Sequence, residues 1–332
     1  MKEPSLVTKI NYLDEYQKLF SGEFYFNLYS DERDYKNKEG VLDWLPTDTE
    51  ERYKQNLKNP PTGDDKISVY GAWGATKLHL YDKYPIKYHF DEDKCRYSTK
   101  QKIDRSKPVT LCLGDSFTVG VGQHFEHTWP NFYRYNTKAQ VINAGISGYG
   151  IEHSYIRLIQ LINKYKVTEV LHYQNLYPRY LILPAPPLKE SYPKIAVYNP
   201  LHDATTNFGK EYYTDSLNKH VLCNPTYMAY NHIKTIRAIR DVCLENNIKY
   251  FYIDYASTHF DVKKENTYPP PFEIYPARDL LHFDNIDAFE MSKKFLEAQS
   301  TNPNGHINLS SLSPGNEGIN SLKDLEFINR PL

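Results

Sequence analysis

The chain lacks most of the features that mark a membrane, nucleic-acid-binding or metal-binding protein. No run of about 18 apolar residues occurs in its 332 residues, so no membrane span is expected. Lys and Arg total 40 against 41 Asp and Glu, a formal net charge of -1, and the basic residues form no stripe. Neither nucleic acid nor an anionic membrane surface is therefore indicated as a partner. There are four cysteines, Cys95, Cys112, Cys223 and Cys243, far apart and without a C-x-x-C pair, which argues against a zinc site or a dithiol redox motif. The apolar setting of Cys112 and the helical setting of Cys243 suit buried free thiols. The opening MKEPSLVTKINYLDEYQ carries charge throughout and no apolar core, so no secretory signal is expected there. Nothing in the sequence assigns a compartment.

Nucleotide and cofactor motifs are missing as well. GDSFTVGVG (114–122) has neither the G-K-[ST] ending of a phosphate loop nor the G-x-G-x-x-G spacing of a dinucleotide site, and no cofactor is expected. Thr118 stands where the G-x-S-x-G nucleophile elbow would have its second glycine. His124, Glu126 and His127 fall close together, but two histidines and one carboxylate without a further ligand read better as surface residues than as a metal site.

What is present is a globular composition, 40% hydrophobic and 24% charged, with 30 tyrosines. That tyrosine content fits either aromatic sugar-binding surfaces or codon bias of an AT-rich genome. Residues 1–44 mix aromatic and charged residues without a sustained period, and helix fragments at best are expected there. A helix is expected within 43–66, with Thr47 and Asp48 as candidate N-caps and Pro-Pro-Thr-Gly as its breaker, and short β-like alternations within 67–90. Residues 1–104 together read as an extension packed on the main unit.

From 105 to 299 the pattern sharpens. Strands are expected at VTLCLGD (109–115), QVINAG (140–145), TEVLHYQN (168–175) and IKYFYIDYA (248–256). Helices are expected at TWPNFYRY (128–135), IEHSYIRLIQLINKYK (151–166), TYMAYNHIKTIRAIRDVCLENN (226–247) and IDAFEMSKKFLEAQ (286–299). Residues 176–225, rich in Pro and Tyr, read as a long insertion or lid, and 300–332 as an extended tail. Strands alternating with helices predict an α/β fold with a mainly parallel sheet, and in such sheets sites form at the carboxyl ends of the strands.

Ser116, Gly148, Asn175 and the Asp279–His282 turn all follow expected strands. A strand ending in Gly114-Asp115 and turning into Ser116 can present a hydroxyl at a helix N-terminus, where free backbone N–H groups stabilise a developing oxyanion. A hydroxyl needs a neighbouring base to become a nucleophile. In Asp279-Leu280-Leu281-His282 the spacing puts carboxylate and imidazole on one side of a single turn, so the acid can fix the tautomer of the base. Each motif alone is also compatible with an ordinary turn or a surface pair.

Taken in order, these blocks resemble the SGNH (GDSL) hydrolase superfamily. GDSFTVG (114–120) is similar to its first block, NAGISGYG (143–150) to the second, YQNLY (173–177) to the third and DLLH (279–282) to the last. The resemblance implies a three-layer α/β/α sandwich with a flavodoxin-like sheet. It also implies a serine esterase with Ser116 as nucleophile, Asp279 and His282 completing the triad, and Ser116, Gly148 and Asn175 forming the oxyanion hole. The third block departs from the family, with Tyr173 in place of its glycine and Leu176 in place of its aspartate. The expected substrate is a small-molecule or polysaccharide ester, most simply an O-acetylated carbohydrate. An O-acyltransferase with the same triad, and a non-catalytic glycan-binding or assembly protein on the same scaffold, remain as alternatives. Oligomeric state is left open.

Overall fold

The computed structural model describes residues 40–45, 48–59, 78–99, 101–147, 150–174, 180–182, 196–198, 225–254, 277–278 and 285–303. Within these, nine strands form two sheets. In chain order they are β1 (Val41–Leu42), β2 (Tyr88–Phe90), β3 (Arg96–Tyr97), β4 (Val109–Gly114), β5 (Gln140–Asn143), β6 (Val167–Gln174), β7 (Tyr180–Ile182), β8 (Ala196–Tyr198) and β9 (Lys249–Asp254). The large sheet has the order β1-β2-β3-β5-β4-β6-β9. Its last four strands pair in parallel and its first three add on antiparallel. The parallel strands run second-first-third-fourth, the flavodoxin-like order of a doubly wound sheet.

β4 is buried at every position and apolar but for Thr110, as suits a central parallel strand with both faces covered. On one face lie α5 (Ile151–Ile162) and α6 (Pro225–Glu245). Their Leu158, Leu161, Ile236, Ile239 and Cys243 form one core with Leu111 and Leu113. On the other face lie α4 (Trp129–Thr137) and α7 (Asn285–Thr301), joined by Trp129 and Phe295, stacked at 4.8 Å between centroids, in a second core with Cys112 and Tyr173. The three-layer α/β/α arrangement is therefore as expected. Cys95, Cys112 and Cys243 are buried free thiols; Cys223 lies outside the described residues.

Several local expectations change. The first helix, α1 (Glu50–Lys58), is capped by Thr49, whose side chain accepts from the Arg52 N–H at 3.2 Å. Asp48 is not the cap; its carboxylate is turned inward to Arg278. Thr47 lies outside the described residues, as do 1–39, 60–77 and 304–332. Of the stretch 67–90, in which β-like alternations are expected, 67–77 lie outside the described residues; among the rest, 80–83 form a single helical turn, α2 (Leu80–Lys83), and 88–90 a strand. The Tyr53 hydroxyl donates to Leu78 O at 3.0 Å and to Asp82 Oδ1 at 2.9 Å, which holds that turn together, and Pro85 stops it. Within the expected insertion, β7 and β8 pair antiparallel with Leu181 opposite Val197. α5 buries most of its circumference, including His153, Arg157 and Gln160, while the helical stripe it was read from leaves Ile159 and Ile162 half-buried.

Between the sheet and α6 lies a buried polar pair. His172 on β6 is fully buried, with Nδ1 2.9 Å from the Tyr250 hydroxyl. Burial pushes the imidazole down to about 3, with the nearby His232 adding to the shift. The unfolded imidazole, near 6.5, then binds a proton that the folded one refuses, so stability falls as pH drops below about 6.5. Between pH 7 and pH 5 this one group should cost roughly 2 kcal/mol. Urea unfolding at the two pH values should show a smaller loss in His172→Gln than in the wild type; identical pH slopes would contradict the assignment.

Candidate active site

β4 ends at Gly114, whose φ is +144°. A Cβ there would come within 1.9 Å of the Tyr173 carbonyl oxygen and 2.3 Å of Thr118 Oγ1, so only glycine closes this turn. Asp115 follows as the N-cap of α3 (Ser116–Val119). Its side chain accepts from the Phe117 N–H at 3.0 Å, and its carbonyl accepts from Thr118 and Val119 N–H at 3.1 and 3.0 Å. Ser116 is thus the first residue of the helix, and its own N–H is the remaining donor of the first turn. The serine is 4% exposed. It sits at the carboxyl end of the first parallel strand, where crossovers depart to both sides and doubly wound sheets form their sites.

A helix of one turn gains little from its own hydrogen bonds and relies on its surroundings. The Asn143 side chain donates from Nδ2 to Thr118 O at 2.8 Å, while its Oδ1 accepts from the Gly145 N–H at 3.2 Å. Gly145 approaches so closely that a Cβ would lie 2.5 Å from Val119 N and 2.7 Å from Thr118 Cβ. At the far end Arg96, reaching in from β3, donates from Nη1 to Val119 O and Gly120 O at 2.7 and 2.6 Å, and from Nη2 to Gln123 O at 2.6 Å. Its guanidinium lies 4.6 Å from the centre of the Tyr88 ring. A cation at a helix C-terminus complements the helix dipole, and here it also satisfies carbonyls left open by the end of the turn. Val119 and Val121 complete a third core made by Leu42, Leu45, Tyr53, Leu78, Tyr81, Ile86, Tyr88 and Phe90, so the extension and the serine helix share one cluster.

Of the expected site residues, Ser116 is described; Gly148, Asn175, Asp279 and His282 lie outside the described residues. Their neighbours in the chain do meet the serine turn. Ala144 and Ile146 N–H donate to Cys112 O and Gly114 O, each at 2.9 Å, which carries strand-like pairing beyond β5 to within two residues of Gly148. Gln174 ends β6 immediately before Asn175, and Tyr173 stands opposite Gly114 in the register. Arg278, the residue before Asp279, donates its backbone N–H to Gly122 O at 2.7 Å. Described residues from three segments far apart in sequence, Ala144 and Ile146, Tyr173, and Arg278, thus meet the stretch from 112 to 122.

Tyr173, the departure from the family's third block, has a packing explanation. It is fully buried and meets Phe117 edge-on at 6.0 Å, so its ring fills the core beneath the serine helix. His124 and His127 are half-buried rather than on the surface. With Tyr81, Tyr84, Leu80 and the exposed Glu126 they line an open groove of about 320 Å³. Burial lowers both imidazoles, His127 to about 4. Among the described residues no group of three or more His, Cys, Asp or Glu is placed to hold a metal ion, and no helix is long and apolar enough to cross a membrane.

The sequence reading passed over Asn143 and Gly145 as functional residues although they stand inside its second block, where an Asn two residues before a Gly is a local turn signal. Arg96 gave no such signal, being one arginine in a stretch of mixed charge.

No family model matches the chain, and no curated protein matches it. Solved structures similar to it include a proposed lipolytic protein of the G-D-S-L family from Desulfitobacterium hafniense DCB-2. That structure is 14% identical, with a TM-score of 0.30, over 56% of this chain and 98% of the other.

Removal of the Arg96 guanidinium strips three carbonyls of a buried donor. Arg96→Met should therefore lower stability by about 2–4 kcal/mol. Arg96→Lys should recover less than half of the loss, since an ammonium cannot reproduce the planar fork. Urea denaturation of the three proteins checks this; a lysine variant equal to wild type would contradict it.

Proposed function

We propose that the protein is a serine ester hydrolase in which Ser116 is the nucleophile, His282 its general base and Asp279 the carboxylate that orients the imidazole. The observation that carries this reading is the placement of Ser116 as first residue of a helix at the carboxyl end of the first parallel strand, while the residue preceding Asp279 is hydrogen-bonded to the loop leaving that helix. The ordered resemblance of the four blocks adds to it.

In this reading the Ser116 hydroxyl attacks the ester carbonyl carbon as its proton passes to His282. The oxyanion is met by the N–H groups of Ser116 and Gly148 and by the Asn175 side-chain amide. The bond to the alcohol then breaks with return of the proton to the leaving oxygen, and water repeats the sequence on the acyl-enzyme to release the acid. Because Asp115 uses the Phe117, Thr118 and Val119 N–H groups, the Ser116 N–H is the helix's remaining donor for the oxyanion.

For the substrate we propose an O-acetylated carbohydrate. Six tyrosines within 176–225 (Tyr177, Tyr180, Tyr192, Tyr198, Tyr212 and Tyr213) follow β6, the strand that leads into the third block. Tyrosine offers an apolar ring face to a sugar's C–H groups together with a polar tip for its hydroxyls. The small acyl group fits a serine with 4% exposure.

Hydrolysis of p-nitrophenyl acetate and of acetylated oligosaccharides should depend on Ser116. Ser116→Ala should lower kcat by roughly 10⁴-fold or more and abolish covalent labelling by a fluorophosphonate. A folded wild type that neither turns over any ester of the series nor takes the label would refute the enzyme reading.

A further inference from the structure

The buried pair Asp48–Arg278 joins residues 230 positions apart. Arg278 donates from Nε to Asp48 Oδ1 at 2.9 Å and from Nη2 to Asp48 Oδ2 at 2.7 Å, and again from Nη2 to Asp43 O at 2.6 Å. Its guanidinium lies 3.8 Å from the centre of the Trp44 ring. The two side chains are 0% and 3% exposed. The Tyr88 hydroxyl donates to the same carboxylate and accepts from the Gly122 N–H at 2.8 Å, while Gly122 O accepts from the Arg278 N–H at 2.7 Å. Asp48, Arg278, Gly122 and Tyr88 therefore close a ring of hydrogen bonds. Gly122 lies three residues beyond the end of the serine helix; Arg278 immediately precedes Asp279 in the chain.

A buried ion pair is a poor stabiliser, because desolvation offsets most of its Coulombic gain, and apolar residues of similar size often serve as well. What the fork supplies is direction: two parallel hydrogen bonds fix both the place and the orientation of the backbone that carries them. Resting on the ester-hydrolase reading above, we infer that Asp48 is a positioning residue for that site. It holds Arg278, the residue that precedes Asp279 in the chain, in register with the loop that leaves Ser116. The segment holding Asp48, Trp44 and Tyr88 is then a working part of the active site rather than an appendage, and the rate of the chemical step depends on this ring. Misplacement of a base lowers the rate of the chemical step without weakening substrate binding.

The test uses the full chain, well below the melting temperature of each variant, with rates normalised to the folded fraction. Asp48→Asn keeps the shape and removes the charge. It should lower kcat for p-nitrophenyl acetate and the rate of Ser116 phosphonylation by at least about ten-fold, with KM changed by less than about two-fold. The double variant Asp48→Leu/Arg278→Met replaces the ion pair with apolar volume and serves also if the single variant does not fold. It should melt within about 5 °C of wild type and still show the low kcat. Wild-type kcat in either folded variant would overturn the inference and leave the esterase reading standing. A wild type without Ser116-dependent labelling would overturn both.

Discussion

Helix α3 is one turn long, and one turn cannot hold itself in water. Everything that gives Ser116 a fixed place comes from outside the helix. Gly114 supplies a backbone angle that side chains avoid, and Asp115 ties up the N–H groups of Phe117, Thr118 and Val119. Asn143 at the end of β5 and Gly145 just past it press from one side, and Arg96 gathers three carbonyls at the far end. Asn143, Gly145 and Arg96 belong to other strands' segments, so the serine turn forms only when the sheet does. That dependence is what preorganisation of a nucleophile requires: a geometry set by the fold beforehand rather than by the substrate.

Much of this frame was legible in the sequence, because the signals behind it are local. The run at 109–113, apolar but for Thr110, and the helical stripes of 226–247 and 286–299 report burial through their patterns, and the strands and helices fall where those patterns put them. Glycine at 114 is legible for the same reason, since a strand ending in Gly-Asp-Ser must turn sharply. Asp48 was misread for a physical reason. A carboxylate just ahead of a helical pattern is a favoured capping residue type, and only tertiary structure reveals that a buried arginine 230 residues away takes it. The same holds for Arg96, whose contacts lie 23 to 27 residues on, and for Tyr173, which stands where the resemblance led one to expect a glycine and whose ring packs edge-on against Phe117.

The segment from 40 to 97 shapes how the serine turn is held. Its strands lengthen the sheet beyond β5 with antiparallel pairs, and its apolar residues enclose Val119 and Val121. From this platform come two buried charged groups that act on the serine loop, Arg96 on the carbonyls at the helix end and Asp48 through Arg278. Energetically these are costly groups to bury, and each is satisfied by several hydrogen bonds. Their directional character, rather than net stabilisation, accounts for their presence beside a turn whose orientation matters.

The central claim is that the chain around 278 brings His282 to Ser116. A crystal structure of the fluorophosphonate adduct measures this directly. The imidazole Nε2 of His282 should lie within about 3–4 Å of the modified Ser116 Oγ, with the phosphonyl oxygen held by the N–H groups of Ser116 and Gly148. An adduct structure in which His282 stands well beyond that reach, with another residue beside the serine oxygen, would contradict the account.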